Sequence, residues 1–172
     1  MNIHPIIVHF PIALLTVYCI LEFIRIKKVT QLSYWFYLKA CFAVFGASAS
    51  VVAYLTGSVI EHQFEEKSSL VELHSFWAKI TILTFGIIAL AYFVAYLEKS
   101  NLFGVRLSGF FLKVWNLGLF FKKIVIESFV VFPLVIFGLF SITITGALGG
   151  IIVYGPDLDP FTRFVYNLFV NK

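Results

Sequence analysis

Four long apolar runs separated by short polar stretches set the plan of this 172-residue chain. Each predicts a helix, because about 20 apolar residues at about 1.5 Å rise cross the roughly 30 Å hydrocarbon core. The first span covers about 5–24 and ends at Arg25, Lys27 and Lys28. A helix starting at Pro11 would hold only 14 residues, about 21 Å of rise and too short to cross. The span therefore begins near Pro5 and bends at Pro11, whose missing N–H frees the carbonyl of Ile7 and sets the kink beside His9. The second span covers 34–60, with Tyr34, Trp35 and Tyr37 as an aromatic belt. Its middle carries Gly46, Ala47, Ser48, Ala49 and Ser50, small residues that let another helix come close. The third covers 74–97 and the fourth 128–154.

The connections complete the fold. Residues 61–72 carry Glu61, Glu65, Glu66 and Glu72 against the single basic Lys67, an acidic loop. Within residues 98–123, the stretch 103–121 is apolar enough to suggest a fifth span, but Arg106, Lys113 and Asn116 interrupt it. A charge at mid-bilayer is costly, so this segment reads as an interfacial helix with Arg106, Lys113, Lys122 and Lys123 on its wet side. In the tail, Asp159 stands at a cap position and Pro160 at the first helical one. Phe161, Phe164, Val165, Leu168 and Phe169 follow at helical spacing, which suits a helix on the membrane or over the end of the bundle. The fold class is thus all-α: an integral membrane four-helix bundle in one domain over 1–172, with an interfacial helix before the last span and a short amphipathic C-terminal helix.

Composition agrees, with 60% of residues hydrophobic and only 13% charged. The net charge of +4 points away from nucleic acid, because the basic residues flank spans, where membrane orientation explains them. Arg25, Lys27, Lys28 and Lys39 lie around the first connection and Arg106, Lys113, Lys122 and Lys123 around the third, which places both on the cytoplasmic side. Both termini then lie on the outer side, periplasmic for a protein of the bacterial inner membrane. No basic leader or small-residue cleavage site marks a removable signal peptide. Cys19 and Cys41 fall inside spans and suggest neither a disulfide framework nor a cysteine metal site.

Imidazole is the side chain best suited to ligand or proton chemistry near neutral pH. All four histidines, His4, His9, His62 and His74, fall at the outer ends of the spans. In an up-down bundle, spans one and three are diagonal neighbours, so His9 and His74 can face each other as axial ligands of a b-type haem. Gly57, Gly146, Gly149 and Gly150 offer gaps for a flat macrocycle, and Lys67 or Lys79 could pair with a propionate. A metal site is the competing reading, with His4, His62 and the acidic loop around zinc or copper, although no tight His-x-x-x-His spacing supports it. The blander reading has each histidine bonded to a carbonyl and each glycine serving close packing. Glu22 and Lys39, near the other face, either snorkel to headgroups or pair together. No nucleophile with a partner base and no phosphate loop is present. The alternative to a haem-bearing electron carrier is a non-enzymatic accessory subunit that binds a membrane-protein partner or a second copy of itself. A weak internal echo, Thr56-Gly57 in span two and Thr145-Gly146 in span four, pairs the spans as two hairpins, with chance as the alternative.

The opening His4-Pro5-Ile6-Ile7-Val8-His9-Phe10-Pro11-Ile12-Ala13-Leu14-Leu15 resembles that of the small bacterial membrane proteins grouped as domain-of-unknown-function family 2231. The segment Thr145 to Gly155, TGALGGIIVYG, is similar to that family's last span, and span order and length agree. The family pattern carries a histidine in the last span where this chain has Ala147, which removes one candidate ligand. The resemblance implies a four-span membrane fold and importance for His4 and His9, without an activity.

Overall fold

A computed structural model of the protein describes residues 3–61, 69–101 and 108–170. The chain forms α1 (His4–Ile7), α2 (His9–Phe23), α3 (Lys27–Thr30), α4 (Trp35–Glu61), α5 (Ser69–Lys99), α6 (Gly109–Ile126), α7 (Val131–Tyr154) and α8 (Pro160–Phe169). Four helical stretches, His4–Phe23, Trp35–Val59, Ser69–Lys99 and Val131–Tyr154, are long and apolar enough to cross a membrane, which defines a multi-pass membrane protein in a lipid environment.

The spans form a ring in chain order. The first packs on α4, α4 on α5, α5 on α7, and α7 returns to α2. Spans one and three are diagonal, as the sequence suggests, and their side chains meet at the centre. Tyr18 lies edge-on to Phe85 and Tyr92, with ring centroids 6.4 and 5.9 Å away. Small residues set the close crossings between neighbouring helices. A Cβ on Gly46 would lie 2.5 Å from Leu15, and one on Gly138 would lie 2.7 Å from Phe85, so the larger side chain fills the space of the missing one.

Three features of these helices matter for the site, the first of them the interruption expected beside His9. The first span breaks at Val8, where α1 ends and α2 begins; Pro11 gives no N–H to the ladder, and Ile12 reaches the Val8 carbonyl at a stretched 3.4 Å. The third span starts at Ser69 rather than His74, with Glu72 in its first turn, where a carboxylate favours the helix N-terminus. His74 consequently stands more than a turn inside α5 instead of opening it.

The third feature is α6. Gly118 lies against Val94 and Lys122 binds Glu98, an advance of four residues along both helices. Over this stretch α6 runs alongside α5 in the same direction. The packed face includes Lys122 and Val125, while Phe110, Phe111, Leu117 and Phe120 point outward. Lys122, expected on the wet side, is the buried lysine of this helix, because Glu98 and Glu127 accept from its ammonium at 2.5 and 2.6 Å. Burial alone would lower its pKa, but these hydrogen bonds and charges outweigh burial and hold it above its ordinary value.

The C-terminal helix forms at the expected cap. Asp159 Oδ1 accepts from the backbone N–H groups of Phe161 and Thr162, and Thr162 Oγ1 accepts from the N–H of Asp159. Gly155, at φ 86, ends α7 in a conformation that disfavours a side chain. The apolar face is split: Thr162 and Val165 are buried, and Phe169 stacks edge-on against Trp77 at 5.7 Å. Phe161, Phe164 and Leu168 stay exposed. The helix thus covers the end of the α5–α7 hairpin and keeps a second apolar side outward.

Candidate functional site

The histidine end of the bundle contains two similar notches, one in each hairpin. In the first, His4 Nδ1 lies 3.0 Å from Thr56 Oγ1, and the Thr56 hydroxyl donates to the Ala53 carbonyl at 2.9 Å. With that proton committed, Thr56 Oγ1 accepts and His4 Nδ1 donates. The ring lies over Gly57, where a Cβ would come 2.9 Å from His4 Cε1. In the second notch, His74 Nδ1 lies 3.0 Å from the Thr145 carbonyl oxygen, which can only accept. Gly149 makes room, since a Cβ there would stand 3.3 Å from His74 Cε1.

When neutral, each imidazole therefore carries its proton on Nδ1 and its lone pair on Nε2. Donation from one ring nitrogen to a protein oxygen is the usual way a ligand histidine is oriented and made more basic at the other. Beneath His74 the hydroxyls of Thr81, Ser141 and Thr145 continue the polar contacts, with Thr81 Oγ1 3.0 Å from Ser141 Oγ and 3.4 Å from Thr145 Oγ1.

The other candidates lie elsewhere. His9 is exposed on an outward stripe that runs from Ile6 of α1 through Phe10 and Ile20 of α2, so the structure does not place its ring in the bundle interior facing His74. Gly146 is also exposed, with nothing within 4 Å of a Cβ built on it; Gly149, three residues on, is the glycine that receives an imidazole. Gly57 is where the sequence places it, but it accommodates the His4 ring. His62, with the rest of the acidic loop through Ser68, lies outside the described residues. Among the described residues no group of three or more His, Cys, Asp or Glu could hold a metal ion.

At the opposite, basic end the structure builds a second polar centre. Glu22 is only 2% exposed. Lys39 Nζ donates to both its carboxylate oxygens at 2.9 and 3.1 Å, and the Tyr92 hydroxyl donates to Oε2 at 3.0 Å. Arg25 stands 3.9 Å from Oε1, with its guanidinium also over Phe132. Of the two sequence readings, pairing describes Glu22 and Lys39, and neither tyrosine was anticipated. The available signal was that Tyr18 and Glu22 are four residues apart, on one face of the helix.

Comparison with protein-family models, curated proteins and solved structures finds no match in any of the three.

Proposed function

We propose that the protein is a membrane redox module that binds b-type haem at its histidine end, with His4 and His74 as the ligand pair in place of His9 and His74. The observation carrying this reading is the matched state of the two imidazoles, each held through Nδ1–H by an oxygen of the neighbouring span, which puts both lone pairs on Nε2. This donor set fits haem iron, and bound haem would supply one-electron transfer. His4 and His74 sit on diagonal spans, and the Thr56 hydroxyl and Thr145 carbonyl fix which ring nitrogen can ligate. In this reading the basic end is cytoplasmic and both termini are on the outer face of a bacterial inner membrane. The opening and last-span motifs support kinship with domain-of-unknown-function family 2231.

The test is the visible spectrum of detergent-purified protein, oxidised and then reduced with dithionite, after expression with ample haem. The reading predicts a Soret band and split reduced α and β bands; a featureless spectrum contradicts it.

A non-enzymatic accessory subunit is the second reading. It draws on the shallow outward groove between α4 and α5, lined by Ala47, Ser48, Gly86 and Ala89 among larger apolar residues. A partner's transmembrane helix could approach closely there, since no protein atom lies within 4 Å of a Cβ on Gly86. Co-purification of a stoichiometric membrane partner, lost in Gly86→Leu, would support it, and a lone monomer from native membranes would contradict it.

A further inference from the structure

The centre around Glu22 contains a group that the protein alone leaves unsatisfied. Tyr18 is fully buried, and its hydroxyl, though close to Tyr92 and Glu22, meets no partner at full hydrogen-bond geometry among the described residues. Lipid offers no water to such a group, so an unpaired hydroxyl is costly there. Its ring packs edge-on against Phe85 and Tyr92, a role that phenylalanine would fill equally well. The hydroxyl neighbours the Tyr92 hydroxyl and the Glu22 carboxylate. That carboxylate offers about four acceptor positions, of which Lys39 and Tyr92 take three. The Tyr92 oxygen, having donated its proton to Glu22, can still accept.

We propose that a buried water molecule occupies this position, donating to Glu22 and to the Tyr92 oxygen while accepting from Tyr18. Such a site has the two to four polar partners an internal water needs. Its surroundings are closed on the other sides: Lys39 comes from α4, Tyr92 from α5, Arg25 follows α2, and Cys19 turns its thiol toward the Val135 carbonyl of α7. Lys39, 15% exposed, and Arg25, 58% exposed, lead toward the basic end, so water enters from that face and the apolar centre at Phe85 stops it going further. The bundle thereby holds a hydrated carboxylate inside its spans at the end opposite the histidines.

Two measurements on the full-length protein in lipid nanodiscs test this. Hydroxyl radicals generated from water by a brief X-ray pulse modify side chains beside bound water, and the modified residues are read by mass spectrometry. Tyr18 and Tyr92 should be modified, with Tyr92 modification falling several-fold in Tyr18→Phe; unmodified Tyr18 and Tyr92 beside modified Tyr37 would overturn the proposal. In thermal unfolding, Tyr18→Phe should lower the midpoint because the water loses a partner. A raised midpoint, the relief of an orphaned hydroxyl, would overturn it equally.

Discussion

The two ends of the bundle are fastened by different chemistry. At the basic end, charges tie helices together: Glu22 joins α2 to α4 and α5, and Lys122 joins α6 to the ends of α5 and the α6–α7 corner. At the histidine end, neutral groups meet in notches of glycine and threonine. A buried ion pair holds one arrangement strongly, because either partner left alone is a stranded charge. A neutral imidazole that donates from one nitrogen carries its lone pair on the other. The contrast sets ion pairs that brace one end against neutral contacts at the other, where the proposed ligand site lies.

The largest effect that could break this contrast is Lys39→Ala. It strands the Glu22 carboxylate and should cost about 3–5 kcal/mol, read as unfolding free energy in mixed detergent micelles. A loss no greater than that of an exposed lysine such as Lys113 would refute the structural role. Next come the glycines of the notches. Gly57→Ala should cost about 1–3 kcal/mol by forcing His4 off its seat, Gly149→Ala less because its contact is looser, and Gly146→Ala nothing or a slight gain in helix propensity. Equal effects at all three would remove the distinction between notch and open glycine.

A subtler comparison separates the two notches. Thr56→Val removes the oxygen that holds His4, whereas Thr145→Val leaves the backbone carbonyl that holds His74. Loss of such an outer-shell partner typically weakens ligand affinity about 10–100-fold, so Thr56→Val should weaken haem binding within that range and Thr145→Val much less. The reverse order would mean that the anchors are misassigned.

The smallest effect concerns Lys122, whose acidic partners are about half exposed, Glu98 at 42% and Glu127 at 49%. Lys122→Met should cost about 1 kcal/mol or less, and high salt should erase part of the difference. Because the folded protein holds this ammonium's pKa above the ordinary 10.5, its contribution is fully present below that value and lost as pH rises through the raised one. Unfolding of wild type and Lys122→Met from about pH 7 to pH 12 should converge only in the alkaline limb.

The bilayer explains how much of this was legible. Lipid demands long apolar runs, so the four spans, their ring order and the capped terminal helix follow from hydrophobicity, short connections and the Asp159-Pro160 signal. The phase of a side chain around its helix is a finer quantity. His4 and His9, five residues apart, lie about 140° apart around a helix, so His9 faces outward while His4 meets α4. The Thr-Gly echo paired Gly57 with Gly146, whereas the glycine that receives an imidazole in the second notch is Gly149, because an i to i+4 step brings the Thr145 carbonyl and Gly149 to one face. Lys122 read as wet because its partners, Glu98 and Glu127, lie far apart in sequence and meet only when α6 lies along α5.

The assignment of the ligand pair is tested most directly by titrating haem into the purified apoprotein in detergent, with His4→Ala, His74→Ala and His9→Ala in parallel. The account predicts that His4→Ala and His74→Ala each abolish the six-coordinate low-spin spectrum while His9→Ala retains it at near-parent affinity. Loss of that spectrum in His9→Ala, with His4→Ala behaving like the parent, would contradict it.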